Sequence, residues 1–146
     1  LTHQVLFRES LCVVGGAKHW VRAPRRVSLA RLREGAWILP VPESPSRLAA
    51  ERLFHEAGLP LPQDVVESLS VLTNIGLMLD SPRVGLMPRA AATRFVDSGL
   101  LRVLADTEPG SFGDVGYSLR ADKQPSPACE RFIACLREVC ERASGR

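Results

Sequence analysis

The chain has 146 residues, 45% hydrophobic and 24% charged, with a formal net charge of +3. That length can bury roughly 68–70% of the unfolded surface in one core, and the composition is that of a folded globular domain rather than a disordered segment. No apolar run approaches the ~20 residues of a membrane helix, and the basic residues, arginine except for Lys18 and Lys123, are scattered without interleaved aromatics, so neither a membrane partner nor direct nucleic-acid binding by this chain is expected.

Residues 10–16 (SLCVVGG) predict a buried strand ending in glycines. Residues 27–34 carry leucines at 29 and 32 and predict a short helical turn, and residues 36–40 (AWILP) a second strand stopped by Pro40 and Pro42. The next element has clear punctuation. Ser44 is an N-cap, Pro45 stands at the first helical position, and Gly58 ends the helix before Pro60. Ala50, Leu53, Phe54 and Ala57 form its core-facing stripe.

Residues 64–69 predict a third strand. Ser70 then caps a helix with Val71, Leu72, Ile75 and Leu79 facing inward. A turn at 80–83 leads to a strand at 84–87, a helix from about 89 to 98 ended by Gly99, and a strand at 100–104. Residues 106–114 (DTEPGSFGD) are the best linker, followed by a strand at 115–120. Ser126 and Pro127 start a last helix, to about 142, with Cys129, Phe132, Ile133, Leu136 and Val139 on one face. Strands alternating with helices imply an α/β fold with a mainly parallel sheet.

Ser44, Ser46, Arg47, Ser68 and Ser70 are the candidate ligand-binding residues. They lie at two successive strand-to-helix steps, where a helix's first unpaired N–H groups carry partial positive charge and hold anions. Arg47 would add a planar cationic fork. The plainer reading is that Ser44 and one of Ser68 and Ser70 only cap helices, and that Arg47 is solvated.

No catalytic residue is assigned, because no nucleophile elbow, phosphate loop or dinucleotide fingerprint is present. The three histidines lack metal-ligand spacing, so no metal and no cofactor is expected. Cys12, Cys129, Cys135 and Cys140 form no C-x-x-C pair, and residues 1–16 lack signal-peptide features. Reduced thiols in the cytoplasm are expected, with Cys12 and Cys129 in the core. Trp20 and Trp37 are read as packing residues.

The ordered set ESLCVVGGAKH, RRVSLARLREGAWIL, SPSRLAAERLFHEAGL, VVESLSVLTN, VGLMPR, GLLRVL and VGYSLRADKQPSPACERFIACLREV resembles the effector-binding domain of LysR-type transcriptional regulators over nearly the whole chain. Trp20 stands where that family usually has proline after the turn histidine. The resemblance implies a type II periplasmic-binding-protein-like fold of two α/β lobes joined by crossover strands, with the effector in the cleft. Residues 1–108 would form the second lobe with a leading crossover strand. Residues 109–146 would form the second crossover strand and the C-terminal helix of the first lobe. The chain starts without methionine, and the resemblance implies that the first half-lobe and a DNA-binding helix-turn-helix precede Leu1.

The implied function is sensing of a small-molecule effector, a carboxylate in many family members, and reporting it to distant DNA-binding helices. The implied partners are that effector, a second copy of the chain in a homodimer, and DNA only through the helix-turn-helix. Half the pocket wall would then lie outside this chain, which should bind effector weakly. A transport receptor of the same fold is the alternative, and it would require an export signal. An enzyme of similar fold would require an acid/base pair that the sequence does not display.

Overall fold

The computed structural model describes residues 1–144. The chain forms two compact units, one of residues 10–112 and one of residues 1–9 with 113 onward.

The larger unit holds a five-stranded sheet built from β2 (Leu11–Gly16), β3 (Trp37–Leu39), β4 (Val65–Glu67), β5 (Val84–Pro88) and β6 (Leu101–Asp106), in the order β4-β3-β5-β2-β6. Four helices cover it: α1 (Leu29–Arg33), α2 (Pro45–Glu56), α3 (Val71–Asp80) and α4 (Arg89–Asp97). The β3/β4 and β3/β5 ladders are parallel, but β2 runs antiparallel to both β5 and β6. The expected mainly parallel sheet is therefore mixed, with one reversed strand in its interior. Hydrophobic period marks a buried strand and carries no sign of its direction.

All six residues of β2 are buried. Successive side chains of a strand point to opposite faces. Val13 joins Trp37, Leu39, Val84 and Leu104 under Leu32 of α1 and Ala50 and Phe54 of α2. Cys12 and Val14 join Ile38, Met87 and Leu101 under Ile75 and Met78 of α3 and Ala92 of α4. Trp37 anchors the first cluster: its ring meets Phe54 edge-on at 5.1 Å, and its indole N–H donates to the Leu32 carbonyl at 2.7 Å.

The glycines ending β2 are required by close approach. A Cβ on Gly16 would lie 2.1 Å from the Met78 carbonyl oxygen, and one on Gly15 would lie 2.7 Å from the Trp20 ring. Gly58 and Gly99 stop α2 and α4 at φ +66° and +74°, the left-handed conformation glycine adopts at low cost.

Several core expectations need correction. Val71 and Leu72 are exposed, while Ile75 and Met78 face inward. The inward stripe of α3 starts one turn later, where the helix crosses the sheet. In α2, Ala49, Ala50 and Phe54 are buried and Ala57, at its C-cap, is exposed. Cys12 is buried as expected, whereas Cys129 is only half-buried.

The smaller unit pairs β1 (Thr2–Glu9) antiparallel with β7 (Gly113–Leu119) and adds α5 (Pro127–Ser144). Ser126 accepts the Cys129 N–H at 3.3 Å, and Pro127 opens the helix. Cys129, Ile133, Leu136 and Cys140 are half-buried, while Phe132, Cys135 and Val139 are exposed. The neighbouring stripe is therefore the better covered of the two on α5.

Candidate functional site

The five candidate residues lie in the larger unit, at the edge of the sheet where β3 and β4 end. Beyond Leu39 the chain turns through residues 40–43, and Glu43 adopts φ +67°. That conformation is uncommon for a residue with a Cβ and places about 1 kcal/mol or more of strain in this loop. Ser44 then caps α2. Its Oγ accepts the Arg47 N–H at 3.1 Å and donates to the Val41 carbonyl at 2.8 Å. Loss of such a cap costs about 1 kcal/mol.

The next step is built the same way. The Ser68 N–H donates to the Leu39 carbonyl at 3.0 Å, so the β4–α3 loop is laced to the end of β3. Ser68 Oγ accepts the Ser70 N–H at 3.2 Å, and Ser70 Oγ accepts the Thr73 N–H at 3.3 Å. Thr73 Oγ1 also donates to Ser70 Oγ at 3.0 Å. Ser44 and Ser70 are thus both caps, and Ser68 orders the turn before α3. Ser46 is half-buried in the first turn of α2.

Arg47 is not solvated. Its side chain is 13% exposed. Nε donates to Glu51 Oε1 at 3.0 Å, and Nη1 donates to the Pro40 carbonyl at 3.0 Å and to Glu67 Oε1 at 3.1 Å. One guanidinium joins the end of β3, the first turns of α2 and the end of β4. Two carboxylates more than offset its charge, so its physical role here is to brace the two loops against each other.

The carboxylate partners were absent from the expected site. The Arg47/Glu51 pair has the i,i+4 spacing that helices bring together and was legible in principle. Glu67 is twenty positions away, and nothing local links it to Arg47.

Two hollows flank α2. A cavity of about 340 Å³ is lined by residues that include Leu11, Ala49, Arg52, Thr107 and Ser111, and by none of the five candidates. A wider groove of about 770 Å³ runs past Pro45, Leu48, Arg52, His55 and Phe112. Among the described residues, no group of three or more His, Cys, Asp or Glu is placed to hold a metal ion. No described helix is long and apolar enough to cross a membrane.

The fold is shared with solved effector-binding domains of transcriptional regulators. The chain matches the LysR substrate binding domain family over residues 1–141. It is 28% identical over 139 residues to the HTH-type transcriptional regulator GalR of Pseudomonas putida, covering 95% of this chain and 35% of that protein. It is 29% identical over 140 residues to the HTH-type transcriptional regulator GbpR of Azospirillum brasilense, covering 95% of this chain and 41% of that protein. The effector-binding domain of QuiR in complex with shikimate superposes with a TM-score of 0.69 at 16% identity, over 97% of this chain and 66% of that one. The chain belongs to the LysR substrate binding domain family, and its fold is the type II periplasmic-binding-protein-like fold of that family's effector domains. It spans 35% and 41% of the lengths of these two regulators.

Proposed function

We propose that this chain is the effector-sensing domain of a LysR-type transcriptional regulator. In this reading it binds a small carboxylate at the loops opening α2 and α3. The observation that carries the proposal is the pairing of two serine-capped helix N-termini at one sheet edge, braced by Arg47 between Glu51 and Glu67. Helix N-termini favour anions through their unpaired N–H groups and partial positive charge. Ser44, Ser46, Ser68 and Ser70 supply hydroxyls beside them, and Arg47 fixes the spacing of the loops. The shikimate bound by QuiR is itself a small carboxylate, which supports that ligand class. Both regulators matched in sequence act in transcription, which favours this reading over a transport receptor.

The same proposal assigns residues 1–108 to the second lobe with its leading strand and residues 109–146 to the returning part of the first lobe. It makes the protein non-catalytic and cytoplasmic, with DNA bound only by a helix-turn-helix outside this chain. A homodimer belongs to it too, supported by the exposed Phe132 and Val139 of α5. Light scattering that finds a monomer at high concentration removes that element.

Effector response then depends on ligand affinity differing between the regulator's two states. In the regulator carrying this domain, Ser70→Ala and Arg47→Ala blunt the effector dose response and leave operator binding intact. A reporter titration unchanged in both variants rejects the site. Loss of operator binding in both rejects the sensing role assigned to it.

A further inference from the structure

Four arginines from three separate stretches of the chain line one groove of the larger unit. Arg25, Arg26, Arg89 and Arg102 line it together with Asp106, over a volume of about 440 Å³ along β6. β6 is the last strand of its sheet, so the groove follows a sheet margin well apart in sequence from the loops opening α2 and α3. The lining carries four cationic side chains and one carboxylate, an excess as large as the formal net charge of the whole chain.

The arginines are not equivalent. Arg102 donates to the carbonyls of Trp20, Val21, Ala23 and Pro24, so its fork is spent holding the loop at 20–24. It contributes a fixed charge rather than a free donor. Arg26 and Arg89 both turn to Asp106, Arg26 at 3.9 Å and Arg89 through a direct hydrogen bond. Arg25 is exposed and has no ion-pair partner among the described residues. α4 begins at Arg89, and its N-cap, Pro88, makes no side-chain capping hydrogen bond. Its partial positive charge adds to the same field.

Asp106 therefore occupies the place an anion would take between two guanidinium groups. A monoanion arriving there exchanges one carboxylate for another and gains little. A ligand with several negative charges replaces Asp106 and also engages Arg25, and that surplus drives binding. Arginine forks match phosphate and carboxylate oxygens two at a time.

We propose that this groove is a second ligand site, for a compact polyanion bearing several phosphates or carboxylates. Arg25, Arg26 and Arg89 are its ligands, and Asp106 is the internal anion it displaces. The proposal is independent of the effector site at α2 and α3.

Calorimetry of the chain with inorganic tripolyphosphate at low salt tests it, with acetate as the monoanion control. Saturable one-to-one binding is expected for tripolyphosphate and none for acetate. The double variant Arg25→Ala, Arg26→Ala is expected to weaken binding about tenfold, and Asp106→Asn to tighten it several-fold, because each changes a close charge pair at the site. Arg25→Glu keeps the test sound should Asp106→Asn disturb folding, since Arg25 is exposed and unpaired; it is expected to weaken binding at least as strongly. Equal affinity in the arginine variants, or tripolyphosphate binding no better than acetate, overturns the proposal. It is also overturned if a random DNA duplex binds through Arg25 and Arg26 while tripolyphosphate does not, because the groove would then be a nucleic-acid contact.

Discussion

The two units of this chain are stabilised to very different degrees. Every fully buried apolar side chain among the described residues belongs to the larger unit, from Leu11 to Leu104. The smaller unit has two strands and one helix, and among the described residues its single buried one is the polar Glu9. A two-stranded sheet is marginal on its own, and three or more strands with an apolar face are usually needed for independent stability. The contrast shows that a sequence of uniform composition can place nearly all its core in one part of the chain. Substitutions in the two units should separate accordingly.

The largest effect is expected at Trp37, which is fully buried and packed on Phe54. Trp37→Ala removes that ring and leaves a cavity, and should cost about 3–5 kcal/mol in denaturant unfolding. A loss below about 1 kcal/mol would mean that Trp37 is not the anchor of the larger core.

A matched pair of glycines sharpens the comparison. A Cβ on Gly16 would meet the Met78 carbonyl at 2.1 Å, and a Cβ on Gly116 would meet the Gln4 carbonyl at the same 2.1 Å. In the larger unit the obstacle is the backbone of a helix packed on the sheet, so Gly16→Ala should cost about 1–3 kcal/mol. In the smaller unit β1 is a margin that can shift, so Gly116→Ala should cost less. Equal losses in thermal melts of the two variants would show the smaller unit to be as rigid as the larger one.

The smallest effect belongs to the exposed turn after β7. Arg120 hydrogen-bonds Asp122 through both guanidinium and carboxylate pairs. That bond, with a backbone hydrogen bond second, holds the Asp122 carboxyl below its usual range, and the Arg120 pKa is raised by the same contact. A lowered carboxylate pKa favours the folded state above the unfolded pKa and is lost as pH falls through the folded one. Because the pair is fully exposed, Arg120→Ala should leave the melting temperature unchanged at neutral pH. A clear drop that vanishes in acid would show this turn to be coupled to the core.

Much of the larger unit was legible because its boundaries are local chemistry. Ser44 with Pro45, Ser70, Gly58 and Gly99 mark helix ends by their own side chains or backbone freedom, and the structure places them there. The residues of β1 gave no such signal, since most are exposed and only the family resemblance implied a strand before residue 10. Direction was equally invisible: LCVVGG reads the same in a parallel or a reversed strand. At the candidate site the serine caps were readable and the Arg47–Glu67 brace was not. The arginines at 25, 26, 89 and 102 looked scattered because the fold, not the sequence, assembles them.

The reversed strand β2 also sets a condition on how the chain folds. Its neighbours are β5 and β6, so Cys12 must find Met87, a separation of 75 residues, and then Asp106. Contacts this distant slow folding, because the closing loop loses entropy before any pairing is gained. During synthesis β2 emerges before the other four strands of its sheet and waits for β6, the last of them. Until then LCVVGG is an uncovered hydrophobic segment of the kind that draws chaperones or aggregates. Expression at lower temperature or with a holding chaperone should therefore raise the soluble yield of this domain more than any surface substitution.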